Sequence, residues 1–116
     1  MSNEANEAGA PPWDASLVNL TSKELSPGVF AVLPDDVFDK DHVATTAGFV
    51  IGERAVLVIE SMLNGDLASQ LIGLVRKETS KPIRFLVNTS YHGDHAYGNY
   101  VFPESTVIVQ HPATKQ

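Results

Sequence analysis

From residue 17 onward the apolar positions follow two different spacings, and the change of spacing separates strands from a helix. Leu17, Val18 and Leu20 form a short apolar segment, Ser26-Pro27-Gly28 is a turn signal, and Val29 to Leu33 is a β-rich run that stops at Pro34-Asp35-Asp36. Ala44 to Ile51 and Arg54 to Glu60 are two strand candidates, and the short link Gly52-Glu53 favours a hairpin between them. Within the second, Ala55 to Ile59 is continuously apolar, as expected of a strand covered on both faces. The period then changes. Leu67, Leu71, Leu74 and Val75 recur at helical spacing, with Ser69, Gln70, Arg76 and Lys77 on other faces, which predicts a helix over 66–78. Asn64 or Asp66 can cap its start and Ser80-Lys81-Pro82 ends it. Ile83 to Val87 is predicted as a buried strand and Thr106 to Val109 as a shorter one, while His111-Pro112-Ala113 can open a further helix. The order is strand, strand pair, helix, strand, loop, strand, which makes the fold class layered α/β (α+β).

Composition adds the boundaries. Residues 1–14 read as a disordered leader, because Met1 to Pro12 is small, polar and acidic and ends in two prolines. The domain then occupies 15–116, with Trp13 read as cover for the core. The acidic stretch 34–42, with Asp35, Asp36, Asp39 and Asp41, lacks the Gly and Glu spacing of an EF-hand loop and reads as a solvated loop. The chain has 116 residues, of which 43% are hydrophobic and 19% charged, so one globular domain is expected. A net charge of -6 repels phosphate backbones and argues against a nucleic-acid partner. No apolar run is long enough to cross a bilayer and no secretory signal is visible, which together predict a cytoplasmic protein with no membrane partner. The absence of cysteine excludes disulfides and thiolate chemistry, so any metal must be held by His, Asp, Glu, water or backbone oxygen.

The candidate chemistry lies between the last two strands. His92-Gly93-Asp94-His95 places two histidines and an aspartate within four residues, directly after an apolar strand, where layered α/β proteins place their active sites. In an extended segment His92 and Asp94 point the same way, and His95 addresses a neighbouring point. Imidazole and carboxylate are natural Zn²⁺ ligands at ~2.0–2.2 Å. A metal site and a polar surface loop carrying two histidines both fit this tetrad taken alone.

The wider segment decides more. Phe85-Leu86-Val87-Asn88-Thr89-Ser90-Tyr91-His92-Gly93-Asp94-His95-Ala96-Tyr97-Gly98-Asn99 resembles the His-x-His-x-Asp-His signature of the metallo-β-lactamase superfamily. Ala47-Gly48-Phe49-Val50-Ile51 and Ala55-Val56-Leu57-Val58-Ile59-Glu60 resemble that family's early strand pair, with Glu60 where the family usually has Asp. The resemblance covers roughly residues 17–116. It implies the N-terminal half of an αββα sandwich, with a mainly antiparallel or mixed sheet and one long helix.

It also implies a zinc-dependent hydrolase acting on a small-molecule ester, thioester, amide or phosphoester. His92, Asp94 and His95 would be metal ligands, and Asp94 would also orient the attacking hydroxide. Ser90 stands where the family has its first signature histidine, and a hydroxyl is a poor zinc ligand. The family's remaining ligands come from its C-terminal half. One or two zinc ions are therefore expected in a complete protein, and weak or no zinc binding by this chain alone. Half a sandwich should also leave a sheet face uncovered and open to association. His111 is read as structural. The alternative is a non-catalytic relic or interaction module of the same fold, which Ser90 favours; a metal-free α/β binding protein is a third reading.

Overall fold

The computed structural model describes residues 18–34, 45–90 and 93–112, and of Asp94 the backbone only. The leader with Trp13, the acidic stretch 35–42 and His92 lie outside the described residues. Six strands form one sheet in the order of the sequence: β1 (Leu20–Ser26), β2 (Val29–Pro34), β3 (Ala47–Ile51), β4 (Val56–Ile59), β5 (Ile83–Val87) and β6 (Val107–Val109). The first four make an antiparallel meander. Helix α1 (Gly65–Glu78) then carries the chain back over the sheet, so β5 lies parallel to β4, and β6 lies parallel to β5. A parallel pair needs a crossover of this kind. The mixed sheet with one long helix is what the hydrophobic pattern and the family resemblance imply.

Local chemistry sets the element ends. Gly28 turns the first hairpin at φ +79°, a left-handed conformation that glycine adopts without a Cβ penalty. Asn64 caps α1: its side chain accepts from the Leu67 N–H at 3.0 Å. Strand β1 runs through the polar segment 21–26, which hydrophobic patterning does not mark, because it is held by its pairing with β2 and by Gln70 of α1. The Gln70 amide donates to Val18 O at 2.7 Å and accepts from Leu20 N at 2.9 Å. Gln70 thus clamps the sheet edge to the helix instead of facing solvent.

The two faces of the sheet differ. On one, Phe30, Phe49, Val58 and Leu86 stand in register across β2 to β5 and pack with Leu67, Ala68, Leu71 and Val75 of α1. On the other, the register aligns Val29, Val50, Leu57, Phe85 and Val107 in one row, and Ala31, Gly48, Ile59, Val87 and Val109 in the next. From β2 to β6 these rows are apolar but open, with Phe85 42% and Val107 50% exposed, and β1 continues them with the polar Ser26 and Lys23. Two expectations are corrected here. Strand β5 is buried only at Ile83 and Leu86, and β4 is fully buried only at Val56 and Val58. Their apolar runs match a strand covered on both faces, yet α1 covers one. Among the described residues no helix is long and apolar enough to cross a membrane.

Candidate metal centre

The parallel pairing of Ile59 with Val87 brings the carboxyl ends of β4 and β5 side by side, so Glu60 and Asn88-Thr89 leave the sheet together. The segment that follows is helical: α2 (Gly93–Ala96) and a 3₁₀ turn (Tyr97–Val101). This corrects the expectation of an extended loop. Residues 93–96 therefore do not alternate with a period of two.

Glu60 is the centre of the described site. Its side chain is 5% exposed, and its backbone takes φ +76°, a left-handed conformation that costs a non-glycine residue of order 1–3 kcal/mol. The strain is held by what the carboxylate receives. Oε1 accepts the Thr89 N–H at 3.1 Å, and Oε2 accepts the Thr89 hydroxyl and meets His95 Nδ1 at 2.6 Å. A carboxylate on Nδ1 keeps the proton of a neutral imidazole there and leaves Nε2 as the lone-pair nitrogen, the second contact that metal-bound histidines usually have. The Glu60 carboxylate thus orients the His95 ring.

The backbone around His95 is pinned just as firmly. Its carbonyl accepts from Ser61 N at 2.9 Å and from the Asn88 amide at 3.1 Å. Asn99 donates to Asn88 Oδ1 at 2.8 Å and accepts from the Ser61 hydroxyl at 2.5 Å. Ser61 is fully buried and Asn88 nearly so. Every buried polar side-chain atom among the described residues has a hydrogen-bond partner. Such a network rigidifies only when it is complete. Gly98 closes the arrangement: its N–H donates to Met62 O at 2.9 Å, and a Cβ there would lie 2.0 Å from Ser61 O.

Of the expected ligands, His95 is thus placed at the sheet rim, half-buried and oriented. His92 and the Asp94 side chain lie outside the described residues, and among the described residues no group of three His, Asp or Glu side chains forms a metal cluster. The donor chemistry nevertheless suits zinc, since one imidazole already carries its carboxylate partner. His111 is exposed beyond β6. Sequence reasoning noted Glu60 only as a family position and missed Ser61, Asn88 and Asn99 as a network. The available signal was polar residues directly at the ends of two apolar strands, Glu60-Ser61 and Asn88-Thr89.

Comparison with known proteins agrees with this architecture. Residues 41–115 match the family model of the metallo-beta-lactamase superfamily. Among solved structures, the chain is similar to the metallo-beta-lactamase FIM-1 from Pseudomonas aeruginosa in its mono-zinc form, with a TM-score of 0.70 and 18% identity over 89% of this chain and 45% of that one. A metallo-beta-lactamase from Hirschia baltica gives a TM-score of 0.70 at 15% identity, over 84% of this chain and 45% of that one. One from Pontibacter korlensis gives 0.70 at 16% identity, over 83% and 45%. At these identities the structures speak for the fold, and the chain spans less than half the length of each. With the family model matched over most of the chain and the fold shared, this chain belongs to the metallo-beta-lactamase superfamily.

Proposed function

We propose that the chain supplies the N-terminal part of a zinc-dependent hydrolytic site, in which His92, Asp94 and His95 hold the metal and Glu60 orients His95. The observation that carries this reading is the 2.6 Å contact between the buried Glu60 carboxylate and His95 Nδ1. A buried carboxylate on a strained backbone, bonded to an imidazole at the sheet rim, is costly for fold stability alone and well suited to presenting Nε2. When bound, zinc supplies a Lewis acid that lowers the pKa of water to about 7. The chain's own part is to fix the His95 ring through Glu60, to hold the loop through Ser61, Asn88 and Asn99, and to use the Asp94 carboxylate to orient the attacking water. Substrates of this reading are small molecules with an ester, thioester, amide or phosphoester bond.

Calorimetric zinc titration tests the assignment. Glu60→Gln retains the shape and loses the charge on Nδ1, and affinity is expected to fall about 10–100-fold. Asp94→Ala should also weaken binding, and Ser90→His should tighten it by adding the imidazole that the family signature carries. The 116-residue chain by itself should show little or no zinc-dependent turnover of a β-lactam or thioester reporter, because two or three ligands on one loop leave a tetrahedral site open. Equal zinc binding by all four proteins would reject the site. It would favour instead the second reading that Ser90 supports, a non-catalytic module of the same fold.

A further inference from the structure

Glu60 is a buried carboxylate with no cationic side chain of lysine or arginine paired to it among the described residues. Its charge rests instead on hydrogen bonds, which a buried ionised group requires. Thr89 supplies two of the three. Its backbone N–H donates to Oε1 at 3.1 Å, and its hydroxyl donates to Oε2, the same oxygen that meets His95 Nδ1. One residue therefore holds both oxygens of the carboxylate. This matters more for a glutamate than for the aspartate usual in the family. The extra methylene adds a rotatable bond, and the last torsion of a glutamate side chain is broad and roughly two-fold. Two donors on opposite oxygens remove that freedom and fix the plane in which Oε2 faces the imidazole.

The donor is itself held by the sheet. Ile59 pairs with Val87, and the Glu60 N–H continues that ladder to Val87 O at 2.8 Å. One residue further on, Asn88 N donates to Val109 O at 3.0 Å, so the backbone reaches Thr89 anchored to both neighbouring strands. Thr89 is nevertheless an exposed residue, and its packing adds little to the core. Its hydroxyl still donates to a side chain that is only 5% exposed. We propose that Thr89 is a positioning residue of the metal centre. By gripping Glu60 through its N–H and its hydroxyl, it keeps the carboxylate on His95 Nδ1, holds the ring proton there and directs Nε2 outward. Its consequence for zinc rests on the function proposed for this site, whereas the grip itself belongs to the chain without metal. Removing the hydroxyl frees the carboxylate to turn, and the imidazole loses its fixed tautomer and direction.

Thr89→Val keeps the branched shape and the backbone N–H and removes only the hydroxyl, while Thr89→Ser keeps the hydroxyl. Ring ¹⁵N NMR of the metal-free chain in mildly alkaline buffer reads the His95 tautomer, its signals identified by their loss in His95→Gln. The parent chain should show the Nδ1–H form. Thr89→Val should give a mixture of the two tautomers, and Thr89→Ser should restore the single form. In calorimetric zinc titration Thr89→Val should weaken binding about 10-fold and Thr89→Ser should not. On a Glu60→Gln background Thr89→Val should add no further loss, because Thr89 acts through that carboxylate. A parent chain that binds no zinc, with a His95 tautomer that still depends on the Thr89 hydroxyl, would sink the zinc assignment and still support the role of Thr89. An unchanged tautomer in Thr89→Val overturns the proposal. So does a serine variant that fails to restore the parent signal, or a loss of zinc affinity on the Glu60→Gln background as large as in the parent.

Discussion

Phe49→Ala is expected to destabilise the fold by about 3–5 kcal/mol, the range for removing a fully buried aromatic ring. Phe49 is 0% exposed at the centre of β3 and stacks on Phe30 with ring centroids 4.6 Å apart and planes 9° from parallel. Its core-facing row continues through Val58 to Leu86, so the ring joins the β1–β2 hairpin to the strands that carry the site. The cavity has little means of closing, because backbone pairing fixes the sheet below and α1 spans the space above. Against a typical total of roughly 5–15 kcal/mol for a domain, such a loss removes a large share of the stability. Urea unfolding followed by circular dichroism measures it. A shift below 1 kcal/mol would mean that Phe49 packs less tightly than the structure gives. Conservative Phe49→Leu should recover most of the difference.

How much of this was legible in the sequence depends on which interaction fixes each element. Helix α1 was readable to within one residue because Asn64 caps it and its apolar stripe has one period. Strands β2, β3 and β5 were readable because β-branched and aromatic residues concentrate there. Strand β1 was not, because Thr21 to Ser26 is a strand only through its neighbour β2 and the Gln70 clamp, both distant in sequence. The helical form of residues 93–101 was missed for a related reason. Gly93-Asp94-His95-Ala96 has no apolar period, and its conformation rests on the carbonyl of His95 meeting Ser61 and Asn88 from two other segments. Candidate ligand types could be named from His92-Gly93-Asp94-His95, although the tetrad alone fitted a polar surface loop as well. The group that orients His95 could not, since Glu60 is 35 residues away and meets it only through the parallel pairing of β4 and β5. The pattern also said that β4 is apolar on both sides, but not what would cover the second side.

The largest effect on the site itself is expected from a single methyl group. Gly98→Ala should cost about 3 kcal/mol, the upper end of the usual overpacking range, because the new Cβ would lie 2.0 Å from Ser61 O and 2.8 Å from the Ala68 side chain. Neither neighbour can move away cheaply. Ser61 O is backbone between two residues already in left-handed conformations, Glu60 and Met62, and Ala68 sits in the first half of α1. The 3₁₀ turn must therefore lift off, which breaks the Gly98 N–H to Met62 O bond and pulls Asn99 from Ser61 and Asn88. The His95 carbonyl then loses its frame, so zinc affinity should fall along with stability. A matched control is available in Gly73→Ala: at that exposed helical position a Cβ meets nothing within 4 Å, and the substitution should stabilise by about 0.5–1 kcal/mol. At roughly 4–8 °C per kcal/mol for a domain of this size, thermal unfolding separates the two glycines by more than ten degrees in opposite directions from the parent. If both alanine variants melt within about two degrees of it, the contact between the 3₁₀ turn and Ser61 does not hold the site, and the network around His95 must be supported from elsewhere.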